Sequence, residues 1–304
     1  MKVINKQDLC ELTQKSGGKF KVQSLVESYK FCESIATSHY ENFPVGSILI
    51  PKKLRKYFFS VYAFARIADD IADELKDDIS KRLNALDNLK LMLEDRYFLE
   101  NTTGNPILLA LHDTMKEKSI PVEPFQKLLV AFKKDILFTQ AQNYSDLKEY
   151  SSYSANPIGE LVLRIFNNYS EESAKYSDKI CTGLQLINFW QDLSRDLTNN
   201  RCYLPLEILN KYNLTKENLH LKENSTNLIN CLGEIYKYTS ILILDGRKLI
   251  KLINNFRLKL EIKATLAGGE IILKRTMALK EKILVERPAL SKKDYWSIII
   301  KSLF

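Results

Sequence analysis

Residues 62–74, YAFARIADDIADE, combine two periodic patterns within one short stretch. An acidic stripe with helical spacing also carries an arginine, and its members are Tyr62, Arg66, Asp69 and Asp73, with Asp70 beside them. An apolar stripe lies on another side and consists of Phe64, Ile67, Ile71 and Leu75. The stretch therefore predicts an α-helix that packs through one face and presents carboxylates on another.

Residues 184–197, LQLINFWQDLSRDL, repeat this arrangement. The polar stripe is Gln185, Asn188, Asp192 and Asp196, and the apolar stripe is Leu186, Trp190, Leu193 and Leu197. Either polar stripe alone is typical of a solvated helix face. Carboxylates four residues apart repel each other, however, so two such stripes in apolar surroundings favour a shared cation.

Oxygen ligands of this kind suit Mg²⁺, which takes one or two carboxylates together with water and substrate phosphate oxygens. The planar guanidinium of Arg66 suits the same phosphate. The two stripes therefore predict two helices that face each other across a diphosphate. The predicted metal ligands are Asp69, Asp70, Asp73, Asn188, Asp192 and Asp196.

The rest of the chain also shows apolar residues at spacings of three and four, without sustained alternation, which predicts an all-α fold. Residues 1–18 are polar and end in Gly17-Gly18, so we expect a loosely held N-terminal arm followed by one helical domain over 19–304. The predicted helical segments are 24–40, 51–75, 79–98, 105–118, 122–142, 145–153, 157–169, 171–198, 226–254 and 257–285.

Cysteine usage and the lack of long apolar runs indicate where the protein works. The five cysteines show no C-x-x-C pair, and their odd number does not suit a disulfide framework, so we expect a reducing cytoplasm. The first residues lack a continuous apolar segment, so we expect no secretory signal, and no stretch of about eighteen apolar residues predicts a membrane-spanning helix.

The net charge of +8 comes from the C-terminal region, because residues 246–304 hold fourteen Lys and Arg against five Asp and Glu. Charge patterning alone favours solvated helix faces there, whereas a membrane-soluble substrate would favour peripheral contact with an anionic membrane. A nucleic-acid partner would require salt-sensitive binding through these helices, which lack a base-stacking motif.

The paired motifs resemble those of the squalene/phytoene synthase family, the head-to-head prenyl synthases. They stand as D-D-x-x-D at residues 69–73 and N-x-x-x-D-x-x-x-D at residues 188–196. The resemblance extends from about residue 39 to residue 205 and more loosely beyond. It implies a single-domain helical bundle around a central apolar cavity, Mg²⁺ as cofactor and a prenyl diphosphate as substrate.

Finer similarity points to the bacterial hydroxysqualene synthases of hopanoid biosynthesis. It is carried by HYENFPVGSILIP at 39–51, by YSANPIG at 153–159 and by NFWQDLSRDL followed by RCYLP at 201–205. This branch would ionise presqualene diphosphate, rearrange the carbocation and capture water.

The resemblance also assigns roles to residues. The catalytic set would be Asp69, Asp73, Asp192, Asp196, Tyr153 and Tyr203. Substrate contacts would come from Asn42, Phe43, Tyr62, Arg66, Asn156, Gln185, Asn188 and Phe189. Aromatic faces stabilise carbocations, and the candidates are Phe43, Tyr62, Tyr153, Phe166, Phe189 and Tyr203.

Three alternatives remain open at this stage. The enzyme could instead make presqualene diphosphate, or carry two farnesyl diphosphates through to squalene or dehydrosqualene. Relatives of this fold also include non-catalytic assembly factors, which have lost metal aspartates that this chain keeps. The sequence leaves the oligomeric state open.

Overall fold

A computed structural model describes residues 6–38, 49–73, 78–95, 103–221 and 225–303 of the chain. Within these ranges the fold is all-α, as the sequence pattern predicts, and the one β-type contact is an isolated bridge between Val22 and Gly104. None of the helices in the described ranges is long and apolar enough to span a membrane.

The helices of the described residues are numbered in chain order. They are α1 Lys6–Leu12, α2 Leu25–Ser38, α3 Lys52–Asp73, α4 Ile79–Glu94, α5 Pro106–Lys118, α6 Glu123–Ile136, α7 Tyr144–Ser154, α8 Asn156–Ile165, α9 Glu171–Gln191, α10 Leu193–Thr198, α11 Leu206–Lys211, α12 Lys216–Leu221, α13 Ser225–Gly246, α14 Leu249–Leu252, α15 Phe256–Leu279 and α16 Lys292–Leu303. Short 3₁₀ helices cover Gly18–Phe20 and Lys280–Leu284.

The chain forms two compact units, of which the first comprises Met1–Leu137 and Glu160–Tyr169. Its central element is α3, which packs against α2, α4, α5 and α6. The predicted apolar stripe is buried, since Phe64, Ile67 and Ile71 are each at most 2% exposed. Packing of this stripe fixes the rotation of α3 and therefore determines which side chains lie on its open side.

The second unit comprises Phe138–Gly159 and Ser170–Phe304, and α9 is its central element. A capping box between Ser170 and Ser173 starts α9, which then packs against α7, α13 and α15. Gly183 lets α13 approach closely, because a Cβ atom there would lie 2.7 Å from the Ile243 side chain. The indole of Trp190 is completely buried and donates a 2.9 Å hydrogen bond to Thr239 on α13.

Several predicted helices end or break earlier than the apolar spacing suggests. Among them, the segment 226–254 is divided between α13 and α14, and the segment 257–285 ends as α15 at Leu279. The segment 122–142 is helical only as far as Ile136, because the backbone carbonyls of Ala141 and Gln142 instead accept hydrogen bonds from Leu206 and Glu207. The segment 171–198 breaks at Asp192, which separates α9 from α10.

The segment 1–18 is expected to be a loosely held arm, but the part of it that the structure describes contains a packed helix. Residues 6–12 form α1, whose Leu9 and Leu12 side chains are each 1% exposed. The Asn105 side chain donates a 2.7 Å hydrogen bond to the Leu12 carbonyl, which holds the end of α1 against the start of α5. Buried leucines outweigh the polar composition of this segment.

The buried carboxyl group of Glu261 on α15 should make the stability of the protein depend on pH. One of its oxygens is buried without a hydrogen-bond partner among the described residues, and burial raises the pKa from 4.5 to about 7. The folded state therefore binds a proton more tightly than the unfolded state, so the free energy of unfolding should fall as the pH rises from about 4.5 through about 7. This decrease should amount to roughly 2–3 kcal/mol, and Glu261→Gln should abolish it because glutamine does not ionise.

Urea unfolding of both proteins at pH 5 and pH 8.5 would check this expectation. The exposed Glu281→Gln protein is the matched control, because its carboxyl group lies in solvent on the 3₁₀ helix. Equal pH dependence in the wild type and Glu261→Gln would contradict the assignment.

Candidate active site

The acidic stripe of α3, from Tyr62 to Asp73, covers the C-terminal half of that helix. The side chain of Asp69 is 45% exposed, Asp73 is exposed, and Tyr62 is half-buried. Since both carboxylates are accessible on the same side of the helix, they can bind an ion or ligand from solvent. The prediction that they ligate a metal stays a prediction.

Asp70 has a different environment from its neighbours. Its side chain is only 6% exposed, and it accepts a 2.6 Å ion-pair contact from Nη2 of Arg66, one turn earlier. The other guanidinium nitrogen, Nη1, lies 3.7 Å from the Asp69 carboxylate. Asp70 therefore fixes the position of Arg66 beside the exposed carboxylates, which is a positioning role that the sequence pattern does not distinguish from metal ligation.

Loss of the Arg66 guanidinium should destabilise the protein. Arg66→Ala would remove the 2.6 Å ion pair to the buried Asp70 carboxylate, so we expect the free energy of unfolding to fall by about 2–4 kcal/mol. Asp69→Ala removes a more exposed carboxylate that lies 3.7 Å from the same guanidinium, and it should change the free energy of unfolding by less than about 0.5 kcal/mol. Urea unfolding in a chelator measures both, and equal losses would refute the asymmetry.

The second acidic motif spans the break between α9 and α10. Asp192 is the C-cap of α9, and its backbone angles, φ −94° and ψ 6°, lie outside the regular helical range. Its N–H still donates a 2.9 Å hydrogen bond to the Asn188 carbonyl. Asn188 is exposed, and Asp192 and Asp196 are half-buried. The break therefore lies inside the motif, at the residue that carries its first carboxylate.

Arg287 binds the carboxylate of Asp192 with a fork of two nitrogens. Its Nε donates to Oδ1, and its Nη2 lies 3.4 Å from Oδ2. The neighbouring Gln191 side chain donates a 2.7 Å hydrogen bond to the Pro288 carbonyl. Gln191 and Asp192 thus bind Pro288 and Arg287, respectively. These contacts place the Arg287 guanidinium beside the acidic motif.

The surroundings of Asp196 destabilise the ionised form of its carboxyl group. Burial is the main cause that raises its pKa from 3.8 to about 6, and the Asp192 charge adds to this, although Arg201 and Arg287 oppose it. An ionised Asp196 beside Asp192 is therefore unfavourable in the bare protein. An added cation would relieve this repulsion.

Aromatic rings lie directly beside this motif. Phe189 and Tyr203 stack with centroids 3.8 Å apart and planes at 9°, and Phe138 meets Tyr203 edge-on at 5.2 Å. Tyr150 contacts the other partner, Phe189, at 5.7 Å. Phe189 immediately follows Asn188 in the chain and is buried, whereas Asn188 is exposed, so an apolar aromatic cluster begins within the acidic motif itself.

The remaining predicted residues are distributed over both units. Asn156 accepts a 3.0 Å hydrogen bond from Thr182, and Tyr153 and Gln185 are half-buried in the second unit. Phe166 is buried in the first unit, where it meets Phe58 edge-on at 5.8 Å. Asn42 and Phe43 lie outside the described residues.

The donor set fits a divalent cation. Its ligands would be hard carboxylate and amide oxygens, and the pKa of Asp196 is raised by burial first and by the Asp192 charge second, both of which a bound cation would offset. Among the described residues, no group of three His, Cys, Asp or Glu side chains forms a cation site by itself. Magnesium does not require such a group, because phosphate oxygens and water complete its shell.

Arg287 is the functional candidate that the sequence pattern misses. It lies 95 residues from Asp192, so no helical spacing connects the two. The only signal is its position before Pro288, which ends local helical structure in a basic region.

Comparison with known proteins assigns the chain to a family. The sequence model of the squalene/phytoene synthase family matches residues 36–294. The hydroxysqualene synthase of Rhodopseudomonas palustris is 33% identical over 235 residues, which are 77% of this chain and 78% of the relative. That of Sinorhizobium fredii is 30% identical over 249 residues, or 80% and 82% of the two chains.

Solved structures agree with this assignment. The squalene synthase HpnC from Alicyclobacillus acidocaldarius is 35% identical and has a TM-score of 0.78, covering 85% of this chain and 95% of that chain. A dehydrosqualene synthase, 21% identical, has a TM-score of 0.77, which shows likeness of fold alone. Because the family match includes both aspartate motifs and most of the sequence, the chain belongs to the squalene/phytoene synthase family.

Proposed function

We propose that this enzyme is a hydroxysqualene synthase, which converts presqualene diphosphate and water into hydroxysqualene and inorganic diphosphate. The observation that carries the proposal is the second acidic motif, where Asp192 binds Arg287 and Phe189 stacks on Tyr203 in the adjoining turn. A diphosphate-binding end and a π-rich end of the site would then adjoin each other. Similarity to relatives named hydroxysqualene synthase supports the choice of substrate.

The reaction would begin with cleavage of the carbon–oxygen bond, and the electron pair would leave with the diphosphate. Arg66 and Arg287 would bind the phosphate oxygens and stabilise the developing negative charge. Mg²⁺, held by Asp69, Asp70, Asp73, Asn188, Asp192 and Asp196, would supply further positive charge for the departing group. Since Asp70 is buried against Arg66, its contribution would be mainly to orient that guanidinium.

The organic cation would then need shelter from bulk water. Phe189 and Tyr203, which stack on each other, would stabilise its positive charge through a ring face on the outside of the stack while the cyclopropane ring rearranges and opens. One water molecule would add to the rearranged cation and release a proton, which gives the alcohol. Tyr203, Tyr153 and Asn156 are the polar groups that we assign to the positioning of this water.

Product analysis with purified protein tests the proposal. We expect presqualene diphosphate and Mg²⁺ to give hydroxysqualene and diphosphate without reduced nicotinamide, with oxygen-18 from labelled water in the alcohol. Consumption of farnesyl diphosphate without any turnover of presqualene diphosphate would instead identify a presqualene diphosphate synthase. Squalene formed only with reduced nicotinamide would identify a reductive squalene synthase, and dehydrosqualene a third branch.

Replacement of Arg287 tests the diphosphate-binding end separately. Arg287→Gln should lower kcat/KM by roughly ten- to hundredfold, mainly through KM, because a charged hydrogen-bond donor to phosphate is lost. The matched control is Arg247→Gln, which breaks an exposed arginine–carboxylate pair with Glu270 in the same unit. Steady-state kinetics in which both variants match the wild type would remove Arg287 from the site.

The proposal also includes a location, in the cytoplasm and in peripheral contact with a membrane. The five cysteines form no disulfide, and four of them are wholly or partly buried. A triterpene diphosphate carries long apolar chains, so its concentration would be highest at a bilayer. This part of the proposal predicts recovery with the membrane fraction at low salt and release by high salt.

A further inference from the structure

Helix α16 carries an apolar stripe that faces away from the protein. Trp296, Ile299, Ile300 and Leu303 follow the spacing i, i+3, i+4 and i+7, which aligns them on one side of the helix. Their exposed fractions are 71%, 42%, 56% and 58%. Exposed apolar side chains that are scattered singly are ordinary, whereas four aligned on one helix face form a contiguous apolar patch, which is typical of interaction surfaces.

The other side of α16 is already packed, so the helix cannot hide this stripe by rotating. Ile298 is 2% exposed and lies close to Gly268 of α15, where a Cβ would be 3.6 Å from its terminal methyl group. Arg275 of α15 holds Asp294 at 2.8 Å, and Ser302 is 4% exposed. The outward stripe is therefore a property of the packed helix.

The charges around the stripe specify the chemistry of its partner. Lys292, Lys293 and Lys301 are exposed on the same helix. The single acidic residue of α16, Asp294, is bound by Arg275. An apolar stripe with neighbouring ammonium groups complements a surface of anionic headgroups above hydrocarbon.

We infer that α16 lies in the plane of an anionic phospholipid surface and docks the second unit onto it. Trp296 and the three aliphatic side chains would enter the boundary between headgroups and acyl chains, and the lysines would contact phosphates. A second copy of this chain fits less well, because pairing the stripes would bring lysines of like charge together. The inference rests on the proposed function only for its purpose, which is access to a membrane-dissolved prenyl diphosphate.

Intrinsic fluorescence gives a direct test, because the protein has two tryptophans in opposite environments. Trp190 is completely buried, whereas Trp296 is 71% exposed, so a blue shift on binding reports Trp296. We expect a blue shift and co-sedimentation with vesicles of equimolar phosphatidylglycerol and phosphatidylcholine. Both signals should weaken with salt and with pure phosphatidylcholine.

Matched variants distinguish binding through the stripe from nonspecific hydrophobic adsorption. Trp296→Ser/Ile300→Ser should lower partitioning into the mixed vesicles by roughly tenfold or more. The control Val26→Ser/Leu91→Ser removes two other apolar side chains, each 65% exposed, and should bind like the wild type. A charge variant, Lys292→Glu/Lys293→Glu, should lose binding to anionic vesicles while keeping its fold by circular dichroism.

Equal binding by wild type and the stripe variant would overturn the inference, as would a stripe variant whose only change is dissociation of a dimer in sedimentation velocity. Turnover of presqualene diphosphate dissolved in detergent should be unchanged in the stripe variant. Because vesicle binding is measured without turnover, failure of the membrane inference and failure of the proposed reaction are distinguishable.

Discussion

Asp73→Asn is expected to lower kcat/KM for the prenyl diphosphate by about a hundred- to a thousandfold and to leave the melting temperature unchanged. Asp73 is exposed at the end of α3 and lies outside the Arg66–Asp70 pair, so its replacement removes charge without breaking a buried contact. Asparagine keeps the shape of the side chain but loses the negative charge that a cation would bind. A fall in rate with unchanged stability therefore separates function from folding.

Release of inorganic diphosphate, followed over a range of Mg²⁺ concentrations, measures this effect. The matched control is Asp87→Asn on α4, which neutralises an exposed carboxylate paired with Lys133 in the same unit. We expect wild-type rates for the control. Rates within a few fold of wild type for Asp73→Asn at every Mg²⁺ concentration would remove Asp73 from the active site.

The periodic patterns of the sequence predict the helices well where one apolar stripe decides the packing. Phe64, Ile67 and Ile71 are buried as expected, and so are Leu186 and Trp190. The family assignment from the two aspartate motifs is also confirmed. In these segments, the local spacing and the tertiary packing favour the same rotation of the helix.

Other features depend on contacts between distant parts of the chain, and spacing does not reveal them. The stripe over 184–197 gives no sign of the break at Asp192, where Arg287 binds the carboxylate. Asp69 and Asp70 are adjacent and chemically identical, yet the first is accessible and the second is buried against Arg66. That the two acidic motifs face each other across a cavity stays a prediction from their pairing.

The negative charge of Asp196 should have opposite effects on stability and on activity: it destabilises the folded protein, but cation binding would require it. Burial and the neighbouring Asp192 raise its pKa to about 6, which means that its ionised form is disfavoured in the folded protein. A structure that bears such a cost without compensation would gain from losing the charge. A residue that binds cations, by contrast, has to keep it.

Asp196→Asn is therefore expected to lower kcat/KM by about a hundred- to a thousandfold while raising the melting temperature of the metal-free protein at pH 8 by a few degrees. Neutralising the side chain relieves both its burial cost and its repulsion of Asp192. Thermal unfolding in a chelator and again with Mg²⁺ and inorganic diphosphate measures the balance, because ligands that bind the folded state stabilise it. The wild type should gain more from the added ligands than the variant. A variant that is inactive and also less stable in the chelator would mean that Asp196 supports the fold, and its role at the site would have to be abandoned.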